Sequence, residues 1–257
     1  MFKNAIVRQP GRSLINGLTK TPEYGVPDYD LALVQHQGYV QILKQLGLAV
    51  TELAPNEAFP DSCFIEDNAL CTAECVIICR PGAETRRAEA DLPDLHAALE
   101  HFYGSKIERI VAPGTVEPGD IQMIGDHFMV GLSDRTNRQG AEQIITLLKK
   151  YGYTGEIIEV KNFLHLKDDI SYLDNNNMVV AEHFKDDPAI AKFNRLVVPT
   201  EEYYAANVLL INDQVIVPAG YPVIENLIKQ AGYSVITCNM SEFRKINGSL
   251  TCLSLRF

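Results

Sequence analysis

The chain has 257 residues, 46% of them hydrophobic and 22% charged, an ordinary globular composition that excludes a disordered or coiled-coil chain. Its 23 Lys and Arg stand against 33 Asp and Glu, a net charge of −10; such a surface repels phosphate backbones and anionic headgroups, which argues against nucleic acid and membranes as partners. Six cysteines are too few for a disulfide framework at this length. With no apolar leader after Met1 and no run approaching the roughly 18 apolar residues of a membrane span, they predict a cytoplasmic protein.

In chain order, residues 3–8 read as a strand, and Ala32, Leu33, Ile42, Leu43 and Leu46 recur at helical spacing. A hairpin follows, with residues 70–71 and 75–79 flanking Thr72-Ala73-Glu74, and residues 92–103 look helical. Residues 121–124 and 128–132 flank Gly125-Asp126-His127, and Ala141, Ile144, Ile145, Leu147 and Leu148 mark a further helix. Two more hairpins turn at residues 174–177 and at Asn212-Asp213, and residues 221–232 form a last helical stretch. Asn, Asp and Gly between β-branched runs are hairpin signals because they tolerate positive φ. Residues 250–257 read as one strand whose partner is residues 3–8, so a fifth unit is completed only by joining the chain ends. Units starting roughly 35–55 residues apart, with no linker between them, predict one repeat domain over residues 1–257. Sheet-plus-helix units set around a ring leave a central channel onto which several units can point.

Reactive residues fall at the same place in successive units. Asp61, Glu66 and Asp67 precede the first hairpin, Glu117 and Asp120 the second, and His165, Asp168 and Asp169 the third, while Cys252 lies in the closing unit. A thiol nucleophile needs an imidazole to transfer protons, and the imidazole needs an acceptor to fix its tautomer. Taken singly, each residue also suits a structural role: Cys252 as a small buried hydrophobe, His165 as a core histidine, and Glu66-Asp67 and Asp168-Asp169 as solvated turns. Cys71, Cys75 and Cys79, four apart, share a strand face without the spacing of a zinc site.

Several ordered motifs carry a resemblance. They are Arg12-Ser-Leu-Ile-Asn-Gly-Leu-Thr19, Pro60-Asp-Ser-Cys-Phe-Ile-Glu-Asp67, Arg80-Pro-Gly-Ala-Glu-Thr-Arg-Arg87, Gly114-Thr-Val-Glu-Pro-Gly-Asp120, Val130-Gly-Leu-Ser-Asp-Arg-Thr-Asn137, Leu164-His-Leu-Lys167 and Thr251-Cys-Leu-Ser-Leu-Arg-Phe257. Together, nearly end to end, they resemble the dimethylarginine dimethylaminohydrolase family, bacterial type, within the guanidine-modifying, amidinotransferase-like superfamily. The resemblance implies a five-bladed α/β propeller of ββαβ units. It implies Cys252 as nucleophile, His165 as general acid and base, and Glu117 as the carboxylate that orients His165. Asp67 and Glu66 would hold the substrate guanidinium, Asp61 would face its α-amino group, and Arg86 and Arg135 would grip its α-carboxylate. Leu18 would sit on a mobile loop closing the channel, with Ile246 lining the pocket. No cofactor or metal is implied; the partner is a small arginine-like substrate, and a homodimer is suggested.

The implied reaction hydrolyses Nω-methylated arginine to citrulline and a methylamine through a covalent thiouronium. One departure is Asp168-Asp169, where the family often has small residues. Two carboxylates there predict a raised His165 pKa and leave open a citrulline hydrolase or an arginine deiminase. An amino-acid sensor on the same fold would need Arg86, Arg135 and Asp67 but not Cys252. Zinc held by Cys252 and His165 would inhibit rather than serve.

Overall fold

The computed structural model describes residues 1–159 and 164–257. Its strands form five sheets of three. The first holds β3 (Ala69–Cys71), β4 (Val76–Ile78) and β5 (Ile107–Arg109); the second β6 (Ile121–Ile124), β7 (His127–Leu132) and β8 (Thr154–Glu159). The third holds β9 (Ile170–Tyr172), β10 (Asn177–Ala181) and β11 (Asn194–Val198); the fourth β12 (Leu209–Ile211), β13 (Gln214–Pro218) and β14 (Ser234–Cys238). The closing sheet joins β15 (Leu255–Arg256) to β1 (Asn4–Arg8) and β2 (Ala49–Leu53). In each sheet the middle strand pairs antiparallel with one neighbour and parallel with the other.

The hairpin turns adopt the conformations their residues favour. Gly125, Asn175, Asn176 and Asn212 all have positive φ, between 47° and 63°, where Gly and Asn carry the least steric penalty. Four crossovers contain helices: α1 (Tyr29–Gln45), α2 (Pro93–Tyr103), α3 (Arg138–Lys149) and α4 (Pro222–Gln230). Asp28 and Asn137 cap α1 and α3 by accepting the N–H of Leu31 and Gly140, while proline starts α2 and α4. The third sheet departs from the ββαβ plan: between β10 and β11 lie only the short 3₁₀ turns Glu182–Phe184 and Pro188–Ile190. The sequence shows no 3.6-residue apolar period there.

Apolar packing closes the ring. Five buried clusters each join neighbouring sheets: Ile6 and Leu255 with Ile78; Ile77 with Phe128 and α3; Met129 with Met178; Val179 with Val215 and α4; Ile216 with Val7 and α1. One strand of every sheet also contributes to the wall of a single 410 Å³ cavity, which marks the axis; its lining includes Leu70, Ile121, Tyr172, Leu209 and Leu255. This is the five-bladed α/β propeller that the resemblance implies and with which the repeat agrees.

The single strand predicted over residues 250–257 is corrected. Only Leu255–Arg256 pair with β1, and Thr251–Leu253 wind into a 3₁₀ turn. Hydrogen bonds from that turn to groups inside the ring outweigh the alternating pattern, and the turn is what presents Cys252. The hairpin likewise separates the cysteines expected on one face. Cys71 packs in one core and Cys75 and Cys79 in the next. All three are buried free thiols.

Candidate active site

The five innermost strands share a local device: each is entered through a 3₁₀ turn. These turns are Ile65–Asn68 before β3, Pro118–Asp120 before β6, Leu166–Asp168 before β9, Thr200–Ala206 before β12 and Thr251–Leu253 before β15. Because the sheets repeat around an axis, the turns gather at one end of the channel. Glu66 and Asp67 lie in the first, Glu117 and His165 immediately precede the second and third, and Cys252 lies in the last.

A 160 Å³ cavity opens at that end. Cys252, His165, Glu117 and Asp67 line it, with Asp61, Arg86, Arg135, Leu18 and Ile246 around them. Phe64, Thr19, Lys20, Leu164 and Asn247 complete the wall. Nine of the ten residues to which the resemblance gives site roles thus meet in one space. Glu66 does not line it. Its Oε1 accepts Lys167 Nζ at 2.6 Å and Arg256 Nη2 at 2.7 Å on the side of the axial cavity, while its buried Oε2 has no partner.

His165 is held on every side. Its Nε2 lies 2.7 Å from Glu117 Oε2 and 4.0 Å from Asp67 Oδ1. Its backbone N–H donates to Asp168 Oδ2 at 3.2 Å, and the next residue, Leu166, donates to Asp120 Oδ1 at 3.0 Å. Gly119 lets the second turn press against the imidazole, since a Cβ there would stand 2.6 Å from the ring; its N–H donates to Asp67 Oδ1 at 3.2 Å. Glu117 is fixed in turn: its Oε1 accepts Ala83 N–H at 3.1 Å and Arg135 Nη1 at 3.4 Å.

Burial opposes a charge on His165, but Asp67, Glu117 and Asp120 overcome it and raise its pKa well above the ordinary imidazole value. Burial alone would raise Glu117; the hydrogen bond and charge of His165, with Arg86 and Arg135, hold it low instead. Each member of the pair thus favours the charged form of the other. Cys252 is the opposite case. Burial, then Glu66, Asp67 and Asp168, push its thiol well above the usual range, against one opposing backbone bond from Ser249. Asp61 is raised by burial, which outweighs Arg86 and its bond from Leu18.

The expectation for Asp168-Asp169 is corrected in one respect. Neither forms a solvated turn: Asp168 caps the backbone of His165, and Asp169, fully buried, accepts Tyr203 Oη and faces His183 Nε2, each at 3.0 Å. The carboxylates that raise His165 most are Asp67, Glu117 and Asp120, and Asp168, whose burial-raised pKa the charge of His165 lowers, acts in the same direction.

Arg86 is already engaged, bonding Asp67 at 2.7 Å, Glu89 at 2.9 Å and the Phe64 carbonyl at 2.8 Å. Asp61 Oδ1 accepts the Leu18 N–H at 3.0 Å, which ties the Leu18 segment to the cavity edge. The same segment is held by Asn247, whose side chain accepts Lys20 N–H and donates to Thr21 Oγ1 at 3.2 Å. Leu18 remains 41% exposed. Glu89, Phe64 and Asn247 belong to the site but escaped the sequence reading. Only Glu89 left a trace, the i,i+3 spacing from Arg86. Among the described residues, Asp67, Glu117 and His165 bring three donor atoms within 4.8 Å. The guanidinium on Asp67 and the imidazolium on Glu117 already neutralise those carboxylates, a poor setting for a divalent cation.

What assembles here is a thiol, an imidazolium–carboxylate pair and a further carboxylate at one end of the cavity, with two arginines nearby. Such a set suits covalent attack on a cationic, planar carbon of a zwitterionic amino acid.

Comparison with known proteins shows the family. The family model described as N,N dimethylarginine dimethylhydrolase, eukaryotic, matches residues 28–217. The chain is 48% identical over 257 residues to the N(G),N(G)-dimethylarginine dimethylaminohydrolase of Pseudomonas aeruginosa, covering all of both chains. It superposes on the Pseudomonas aeruginosa structure of a cysteine-to-serine mutant complexed with citrulline at TM-score 0.97, 48% identity and full coverage of both. A histidine-to-glycine variant of dimethylarginine dimethylaminohydrolase in an adduct with S-methyl-L-thiocitrulline matches equally, at TM-score 0.97, 48% identity and full coverage.

Proposed function

The chain belongs to the dimethylarginine dimethylaminohydrolase family and is an amidine hydrolase of that kind, and from this premise we propose how its residues hydrolyse Nω-methylated arginine to citrulline and a methylamine. The observation that carries the reading is the convergence of Cys252, His165, Glu117 and Asp67 on one cavity that also holds Arg86 and Arg135. The relatives' structures with citrulline and with S-methyl-L-thiocitrulline support a ligand of this shape.

Asp67 accepts N–H donors of the substrate guanidinium, while Glu66, which does not line the cavity, contributes negative charge behind it. Arg135, with Arg86 behind it, takes the α-carboxylate; Asp61 takes the α-amino group; Leu18 and Ile246 cover the aliphatic stem. The arriving cation stabilises the Cys252 thiolate that burial and carboxylates otherwise suppress. Sγ attacks the guanidino carbon and forms an S–C bond, giving a tetrahedral adduct. His165 gives its proton to the methylated nitrogen, the C–N bond breaks, and dimethylamine leaves a cationic S-alkylthiouronium. The now neutral His165 takes a proton from water, whose oxygen attacks the same carbon. The S–C bond then breaks, the adduct's hydroxyl proton passes to solvent, and the thiolate and neutral citrulline are released. Glu117 keeps the imidazole oriented through both steps.

Among the described residues no helix is long and apolar enough to cross a membrane. The homodimer suggested by the family resemblance, and the cytoplasmic location expected from the cysteine usage, complete the reading. To test it, purified protein is given asymmetric dimethylarginine, monomethylarginine, arginine and citrulline, and products are quantified. Citrulline from the methylated arginines is expected. Turnover of only arginine or citrulline would overturn the substrate assignment.

A further inference from the structure

The third and closing sheets deliver His165 and Cys252 on separate turns, and among the described residues no hydrogen bond joins Leu166–Asp168 directly to Thr251–Leu253. A single side chain from the fourth sheet does. Asn207, buried just ahead of β12, donates from Nδ2 to the Lys167 carbonyl and to Thr251 Oγ1, both at 3.0 Å, and its Oδ1 accepts the Thr251 N–H at 3.2 Å. Lys167 stands two residues after His165, and Thr251 directly precedes Cys252. A second path returns around the far side. Arg256 Nη1 donates to the Thr251 carbonyl at 2.9 Å and Nη2 to Glu66 Oε1 at 2.7 Å, where Lys167 Nζ also donates at 2.6 Å. Lys167, Asn207, Thr251, Arg256 and Glu66 thus form a closed ring of polar contacts, and none of the five lines the cavity that holds Cys252 and His165.

We propose that Asn207 is a positioning residue for the hydrolysis, fixing the separation and orientation of Cys252 relative to His165 by clamping their two turns; the inference rests on the reading above that these residues react. Only a carboxamide offers two donors and an acceptor in one plane at this reach. Without it, the buried Thr251 N–H and Lys167 carbonyl lose their partner, and the short Thr251–Leu253 turn resettles to recover one. A misplacement of about 1 Å between reacting groups is enough to cost on the order of 100-fold in rate.

The test is steady-state kinetics on the panel compound that the wild type turns over. Thermal melting and iodoacetamide alkylation of Cys252 are read in parallel. Asn207→Ala is expected to lower kcat by about 100-fold with KM within about threefold, because no substrate-binding group touches Asn207. Alkylation, which needs the thiolate but not its alignment with His165, stays within about threefold. Thr251→Val, which keeps the shape but removes the hydroxyl acceptor, lowers kcat by about tenfold, and Thr251→Ser recovers most of that loss. Unchanged kcat in Asn207→Ala overturns the proposal. So does a loss shared equally by kcat, alkylation and melting temperature. Should Asn207→Ala fail to fold, equal kcat for Thr251→Val and Thr251→Ser overturns it. A wild type inert on the whole panel overturns the functional reading itself, whereas an active wild type with unaffected variants removes only the role of Asn207.

Discussion

His165 and Cys252 occupy equivalent places, at the 3₁₀ turns entering the inner strands of two sheets, yet the fold prepares them oppositely. Three carboxylates surround the imidazole and stabilise its charge. Three carboxylates also face the thiol, and the same sign of charge there opposes ionisation. One negative environment therefore stabilises the acid and restrains the nucleophile. On the proposed mechanism the contrast suits a cation: a guanidinium entering between the two would relieve the suppression of Cys252 and leave His165 its proton for the leaving amine. A net charge of −10 thereby acquires a local use.

The contrast breaks most completely at the nucleophile. Cys252→Ser is expected to lower turnover by on the order of 10⁴-fold or more, because a hydroxyl is far harder to ionise among these carboxylates. Binding of citrulline, measured by calorimetry, should persist in that variant; preserved turnover would remove Cys252 from the chemistry.

Glu117→Gln attacks the other side. It is expected to lower kcat by about 10³-fold while folding is retained. The sign of its pH effect follows from the pair. A carboxylate 2.7 Å from the imidazole stabilises imidazolium, so its removal lowers the His165 pKa, and the alkaline limb of kcat moves to lower pH. An unmoved limb would detach Glu117 from the proton transfer.

A ligand sharpens the contrast without mutation. In the unliganded protein, Cys252 alkylation should have its midpoint above that of an ordinary thiol, about 8.5. A bound, unreactive guanidinium should move the midpoint of the Cys252 thiolate, followed by its ultraviolet absorbance, down by at least about one pH unit. No downward shift would mean that the thiol ionises independently of substrate charge.

The smallest expected effect is at the edge of the cavity. Leu18 donates its backbone N–H to Asp61 and lines the cavity while its own side chain stays exposed. Leu18→Ala should raise KM by about threefold to tenfold with little change in kcat, since it removes only part of a leucine's apolar contact. A dominant kcat effect would give Leu18 a role in closure beyond contact.

Residues 1–257 carried the hairpins, four of the helices and the ring closure openly, because turn chemistry and apolar period act over a few residues. Asn175-Asn176, Gly125 and Asn212 require the turns they make, and Ala141, Ile144, Ile145 and Leu148 bury one helix face. The motifs likewise marked Cys252, His165, Glu117 and Asp67. The short 3₁₀ turn at Cys252 was not legible, since its bonds run to Asn207 and Arg256 rather than along the strand. Asn207 itself carried no signal: its partners lie 40 and 44 residues away.

The sequence by itself determined the hairpins, four helices and the residue types that reach the channel, because those follow from local sterics and periodic burial. Only the tertiary structure decided the charge state of each group and its facing partner. It turned Glu66 toward Lys167 and Arg256, gave Asp120 rather than Asp169 a part in raising His165, and put one amide between two turns. Electrostatic energies depend on distance and burial between groups remote in the chain, and those are properties of the closed ring rather than of any segment in it.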